Sequence, residues 1–380
     1  AGYVNSRKNF GYKLDNTLFL TASSTTGLTA LGLNAGTALL SYATTSILGH
    51  SAVGHNALLS ATSSFSNTAI GSEALKSVAD FSNGGGIHIS LSSQSGSNNT
   101  AIGYRALTAN TSGTFNTAVG YEALASNATS SYNTAVGYRS LYLNQYGQRN
   151  TALGEDSLFS NVYGNDSVSI GHASMLLGTN MEDTTAVGTN ALYNARTSSW
   201  TVAVGTGALQ NNLSPTSTVA VGYLAGSGAA GSFNQGGVYV GFAAGGSALT
   251  STADYNTLIG YGAGYGLSSG GSNIIIGSDS GLNSNSLTTG SGNIIIGNRI
   301  SSPAANTSNG LNIGNLIYGT SLDGIATTLS TGNIGIGTST PSFGRLTAYS
   351  TGSQLALSAG AGLAQWAFRN AGGNLYLATT

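Results

Sequence analysis

The chain contains no cysteine, which excludes a disulfide framework, a thiolate nucleophile and a cysteine-ligated zinc site. A cysteine-free chain of this length suits an oxidising exterior. Proline is nearly absent too, at 3 of 380 residues. Charge is scarce: 11 Lys and Arg face 12 Asp and Glu, 6% of the chain with a net charge of −1, against roughly a quarter in ordinary soluble domains. So sparse and balanced a set excludes the basic footprint of a nucleic-acid binder and a polybasic membrane anchor. No stretch reaches the ~18 consecutive apolar residues of a membrane helix, so no membrane insertion is expected within this segment. Residues 1–15 carry Arg7, Lys8 and Lys13 with no apolar core behind them. No signal peptide is legible there, and a segment of a longer polypeptide is expected.

What the chain has instead is glycine, 57 residues of it, set in a repeat. The unit Asn-Thr-Ala-Val-Gly-Tyr-x-Ala-Leu recurs, and Gly103, Gly120, Gly137, Gly154, Gly171, Gly188, Gly205 and Gly222 follow one another at steps of 17. Gly54 and Gly71 are also 17 apart; downstream, Gly241, Gly260, Gly277, Gly297 and Gly314 follow at steps of 19, 19, 17, 20 and 17. Between Gly71 and Gly103, Ser90 reads as the glycine position of a degenerate copy. Seventeen residues are too few for a helical hairpin. The apolar positions alternate with period 2, and Gly, Asn and Ser fill the intervals. A unit of two short strands and two turns cannot bury its own face and must stack on its copies. The expected fold is all-β: a parallel β-solenoid of about 17-residue coils over residues 28–318. A strand-rich lead-in over 1–27 precedes it, and a β-rich module over 319–380 follows and continues into further sequence.

With the repeat glycine numbered zero, positions −1 (Ile102, Val119, Val136, Leu153) and −3 (Thr or Val) share one strand face and are expected inside. Position +4, mostly leucine from Leu75 to Leu209, is expected as a second interior column from the other strand. Position −2 then points outward and is held small at Ala69, Ala101, Ala118, Ala135, Ala152, Ala186, Ala203 and Ala220. A small outward column predicts a chain–chain contact. Later copies place Leu258, Ile275 and Ile295 there, so the strands become apolar on both faces and the contact is expected to tighten. Position +2 gives Arg105, Glu122, Arg139 and Asp156 on four successive coils, a ladder of alternating charge. The alternative is four independent solubilising side chains.

The runs Ser167-Val168-Ser169-Ile170-Gly171 and Val202-Ala203-Val204-Gly205 resemble the head repeats of YadA-like trimeric autotransporter adhesins, over roughly residues 28–318. The resemblance implies a parallel homotrimer of left-handed β-rolls, extracellular and on a cell surface. The Asn-Thr-Ala-Val-Gly-Tyr variant, and the stretch from Gly335 to Pro341 followed by Arg345 and Leu346, are also similar to phage tail-fibre modules. Those imply a virion tail.

Catalytic chemistry finds little support. His50, His55, His88 and His172 are scattered, with no carboxylate beside the first pair. No Gly-x-Ser-x-Gly elbow, phosphate loop or calcium-binding nonapeptide is present, and no cofactor or metal is expected. Asp166 and Asp183 lie one period apart, and two solvated carboxylates is the commoner reading of such a pair. Tyr104, Tyr121 and Tyr138 at +1 form a stacking ladder or, less often, a sugar-binding face. A Thr-x-Thr ice-binding array is disfavoured while the −3 threonines are read as pointing inward. The expectation is a non-catalytic adhesive surface fibre whose first partner is itself, with a host-surface glycan or protein as the candidate receptor. A tail-fibre shaft is the alternative, and a fibre-borne polysaccharide lyase a weak third.

Overall fold

The computed structural model describes residues 9–14, 17–23, 28–36, 49–59, 66–76, 96–229, 231–246, 249–250, 252–280, 287–302, 304, 306–324, 328–341, 346–348, 355–357, 366–371 and 374–379. Among the described residues every regular element is a β-strand. The chain divides into two compact units, Ala1–Tyr223 and Leu224–Thr380.

In the first unit, β1 (Asn9–Leu14) and β2 (Thr17–Ser23) pair antiparallel, and β2 pairs antiparallel with β3 (Leu28–Leu31). From β3 onward the chain is a parallel β-solenoid. Ser51–Val53 pairs in parallel with β3, and the strand before each repeat glycine pairs in parallel with that of the coil before as far as Val219–Val221; Asn180–Glu182 and Thr197–Ser199 form a separate parallel pair. The glycine spacing sets the pairing, so Ala101, Ala118, Ala135 and Ala152 are successive partners. Thr68–Ile70 pairs directly with Thr100–Ile102. The ladder therefore has no rung for the degenerate copy; Ser90 itself lies outside the described residues.

In the second unit, Val238–Val240, Thr257–Ile259, Ile274–Ile276, Ile294–Ile296 and Leu311–Ile313 form a shorter parallel ladder. Ile317–Gly319 then turns back antiparallel and pairs with Ile334–Ile336, which pairs in parallel with Leu346–Ala348. Leu355–Leu357, Trp366–Ala371 and Asn374–Thr379 make a separate antiparallel sheet.

The strand faces are the reverse of the expected ones. Ala69, Ala101, Ala118, Ala135, Ala152, Ala186, Ala203 and Ala220, expected on the outside at a chain–chain contact, are fully buried inside the coil of a single chain. The −1 and −3 side chains, expected inside, face out, with Ile102 37% and Leu153 46% exposed. Period-2 alternation permits either face to be inside, and the width of the coil decides between them. Ser157 at +3 and Ser169 at −2 lie on opposite walls of neighbouring coils, yet Ser157 Oγ is 2.9 Å from Ser169 O and 2.8 Å from Ser169 Oγ. An interior one small side chain wide takes alanine and excludes two β-branched columns. Leu107, Leu124, Leu141 and Leu158 at +4 are fully buried, as expected.

Those leucines do not come from a second strand, however. Positions −5, +2 and +4 all adopt left-handed backbone, as at Tyr132 (φ 63°), Arg139 (φ 50°) and Leu141 (φ 51°). Each such residue costs about 1 kcal/mol or more. Stacking offsets that cost, because the strained residues bond to the neighbouring coils. The N–H of Tyr132 donates to Thr114 O at 3.0 Å, that of Arg139 to Tyr121 O at 2.8 Å, and that of Leu141 to Ser157 O at 3.0 Å.

Two columns of buried asparagine run through the same interior. At −4, the N–H of Asn133 donates to Asn116 Oδ1 (2.9 Å) and the N–H of Asn150 to Asn133 Oδ1 (3.0 Å), while Asn133 Nδ2 donates to Gly147 O (2.9 Å). At +7, Asn127 Nδ2 donates to Asn110 Oδ1 and Asn144 Nδ2 to Asn127 Oδ1, at 3.2 and 3.0 Å. Each of these coils thus closes polar groups that a lone coil leaves open, each bond contributing about 1 kcal/mol net.

Candidate functional site

Two surfaces combine chemistry with repetition. The first is the outer strand face, where Thr and Val at −3 and Val, Ile and Leu at −1 form two half-exposed columns on a parallel ladder. Because the threonines point outward, the reason given above against a Thr-x-Thr array does not hold. The −1 partner is Val, Ile or Leu rather than Thr, so the face is half apolar.

The second surface lies around the corner formed by the left-handed residues. Here the +2 side chains sit side by side. Arg105 Nη1 donates to Glu122 Oε1 at 3.0 Å, while Arg105 Nε lies 3.8 Å from Glu73 Oε2 and Arg139 Nε 3.9 Å from Glu122 Oε2. The sequence reading began this column at Arg105; Glu73, one coil earlier at the same position, belongs to it. Glu122 is buried beside half-buried arginine side chains, and each pair contributes about 0–1 kcal/mol. Burial raises the pKa of Asp156 from its ordinary value, against the lowering effect of Arg139. The Glu122 carboxylate, with a smaller effect of burial, raises the phenol of Tyr121. Asp166 belongs to a parallel column at −5, where Arg149 holds it by two bonds of 2.6 and 2.7 Å and lowers its pKa.

Aromatic rings flank the charges. Tyr104, Tyr121 and Tyr138 stack at centroid separations of 5.2 Å, and Tyr142 stacks on Phe159 at 5.2 Å. The rings therefore turn their faces to one another and their edges to solvent. Between the +1 and +5 columns lies the Arg139 guanidinium, 5.8 Å from the Tyr138 centroid, 4.9 Å from that of Tyr142 and 4.6 Å from that of Phe159.

The Gly260 coil of the second unit keeps part of this corner. Phe242 and Tyr261 stack at +1 with centroids 5.0 Å apart, and Tyr265 stands at +5. The +2 residues between them are Ala243 and Gly262. A cavity of about 330 Å³ opens there, lined by Phe242, Ala243, Tyr261, Gly262, Tyr265 and Asp279. The sequence reading missed it, since its signal was small residues at +2 between aromatic residues at +1 and +5.

Among the described residues no group of His, Cys, Asp and Glu could hold a metal ion. His50 is buried and accepts the N–H of Asn67 at 3.3 Å; His88 lies outside the described residues. Among the described residues no helix is long and apolar enough to cross a membrane. No family model, curated protein or solved structure matches this chain.

Proposed function

We propose that this chain is a segment of a non-catalytic adhesive surface fibre, a rod of repeated coils that assembles as a parallel homotrimer and presents the same surface many times along its length. The reading rests on the outer strand face. Its −1 and −3 columns leave a continuous half-apolar strip exposed on a single chain, with Ile70 at 40%, Val202 at 37% and Val221 at 38%. Contiguous apolar strips of this kind are uncommon on monomers, and copies of one chain in parallel would cover them with matching columns. The contact first sought at the −2 alanines is thereby reassigned to −1 and −3. Left-handed coils and an extracellular, cell-surface location follow from the likeness to trimeric adhesin heads. The receptor class is a glycan or protein of a host surface.

A phage tail-fibre shaft is the second reading, favoured by one feature. The segment from Gly335 to Pro341, similar to tail-fibre modules, falls where the parallel ladder has given way to antiparallel pairing. The test is mass in solution for the parent chain and for Val136→Arg, which changes the outer face and spares the coil interior. A trimer that the substitution dissociates supports the proposal. A monomeric parent, or a variant that assembles unchanged, overturns it.

A further inference from the structure

We infer that the notch at Gly262 is a binding site for a guanidinium group. The molecule itself supplies the template. In the Gly137 coil, Arg139 at +2 lies between Tyr138 at +1 and Tyr142 at +5, with its charge over their rings and that of Phe159. Asp156 stands at +2 of the following coil. In the Gly260 coil the same positions hold Tyr261 and Tyr265, with Phe242 stacked on Tyr261 from the coil before. Asp279 stands at +2 of the following coil, where Asp156 stands relative to Arg139. The arginine is replaced by Gly262, and its place is the cavity of about 330 Å³; Phe159 and Glu122, which also approach Arg139, correspond to Leu282, outside the described residues, and to Ala243.

What remains is a wall of aromatic rings and a carboxylate, the complement of a cation. Ring quadrupoles attract a cation held within about 6 Å, and a planar guanidinium stacks where a hydrated ammonium does not. Arg299 Nε approaches Asp279 Oδ2 at 3.7 Å, but that side chain is 74% exposed. An incoming guanidinium therefore competes with a solvent-screened ion pair for Asp279. A neutral sugar is the poorer fit, because no amide side chain lines the cavity. The proposal does not depend on how the chains assemble.

The experiment is a titration of the full chain followed by calorimetry or tyrosine resonances in NMR. The probes are methylguanidinium, a short peptide with one arginine, its lysine counterpart and methyl glucoside. Methylguanidinium is expected to bind at one site per chain with Kd of roughly 1 mM. Tighter binding of the arginine peptide identifies a protein side chain as the occupant, and equal binding a free small cation. Gly262→Arg supplies the guanidinium from the chain itself and should abolish binding; Arg139 shows that the left-handed +2 position accepts arginine, at φ 50° against 60° for Gly262. Asp279→Asn should weaken binding about fivefold. Arg139→Gly should open a second notch and raise the stoichiometry to two, which no loss of folding can imitate. Unchanged binding in Gly262→Arg, a lysine peptide that binds as well as arginine, or methyl glucoside binding in place of the cation overturns the assignment.

Discussion

The coils of the first unit fill their interior with alanine at −2 and leucine at +4, as in Ala118 with Leu124 and Ala135 with Leu141. The coils of the second unit do the opposite. Tyr239 and Leu258 occupy −2, fully buried, and Gly245 and Gly264 occupy +4. A Cβ on Gly264 would lie 2.9 Å from both Leu258 methyl carbons, and one on Gly245 would lie 3.0 Å from Leu258 Cδ1 and 3.1 Å from Tyr239 Cδ1. The large side chain has moved from the turn wall to the strand wall, and the small residue has moved the other way. Each of these four coils thus holds one large and one small side chain, because a close-packed interior tolerates a volume-conserving exchange far better than a net gain or loss. The comparison also shows why the large −2 residues downstream, first taken as a second apolar face, are interior residues.

The feature common to both units should break with the largest effect. Gly154 and Gly260 have φ near 134° and 132°, and a Cβ on either would lie 2.7 or 2.5 Å from the carbonyl oxygen of the next repeat glycine. Gly154→Ala and Gly260→Ala are each expected to cost about 3 kcal/mol or more in urea unfolding. A mild effect at one and not the other would mean that the two units do not share this turn.

Exchange of the interior pair is the next test. Ala135→Leu alone should destabilise by about 1–3 kcal/mol through overpacking. Adding Leu141→Gly should recover part of that loss, since the pair becomes that of Leu258 and Gly264 and the left-handed position 141 gains a glycine. Double-mutant coupling of zero would show that the exchange is not what fills the coil.

The smallest effect concerns the one imperfect member of the exchanged set. Tyr239 is fully buried, its hydroxyl has no hydrogen-bond partner among the described residues, and burial raises its pKa. Tyr239→Phe keeps the shape and removes the unmet group, so thermal stability should rise, by about 1 kcal/mol. A drop in stability would mean that the hydroxyl is bonded in solution.

Much of this protein was legible residue by residue. The 17-residue glycine spacing predicted the parallel stack, the three-residue strands lie where Thr-Ala-Val precedes glycine, and +4 was rightly read as interior. The +2 ion pairs follow from one column of charges in a chain nearly without them. The Asn at −4 was visible in the repeat, but its role was not, since its partners lie a whole coil away.

Sequence alone therefore determined the period, the strand positions and the side-by-side placing of residues one repeat apart, because in-register stacking turns spacing directly into contact. Only the tertiary structure decided which strand face is inside. Alternation offers two equivalent faces, and hydrophobicity favoured valine and isoleucine over alanine. The choice depends on how far apart the two walls stand, and that distance is set by left-handed turns whose strain is met by hydrogen bonds to neighbouring coils. An isolated repeat has no such neighbours, so no property of its seventeen residues reveals the width it will adopt.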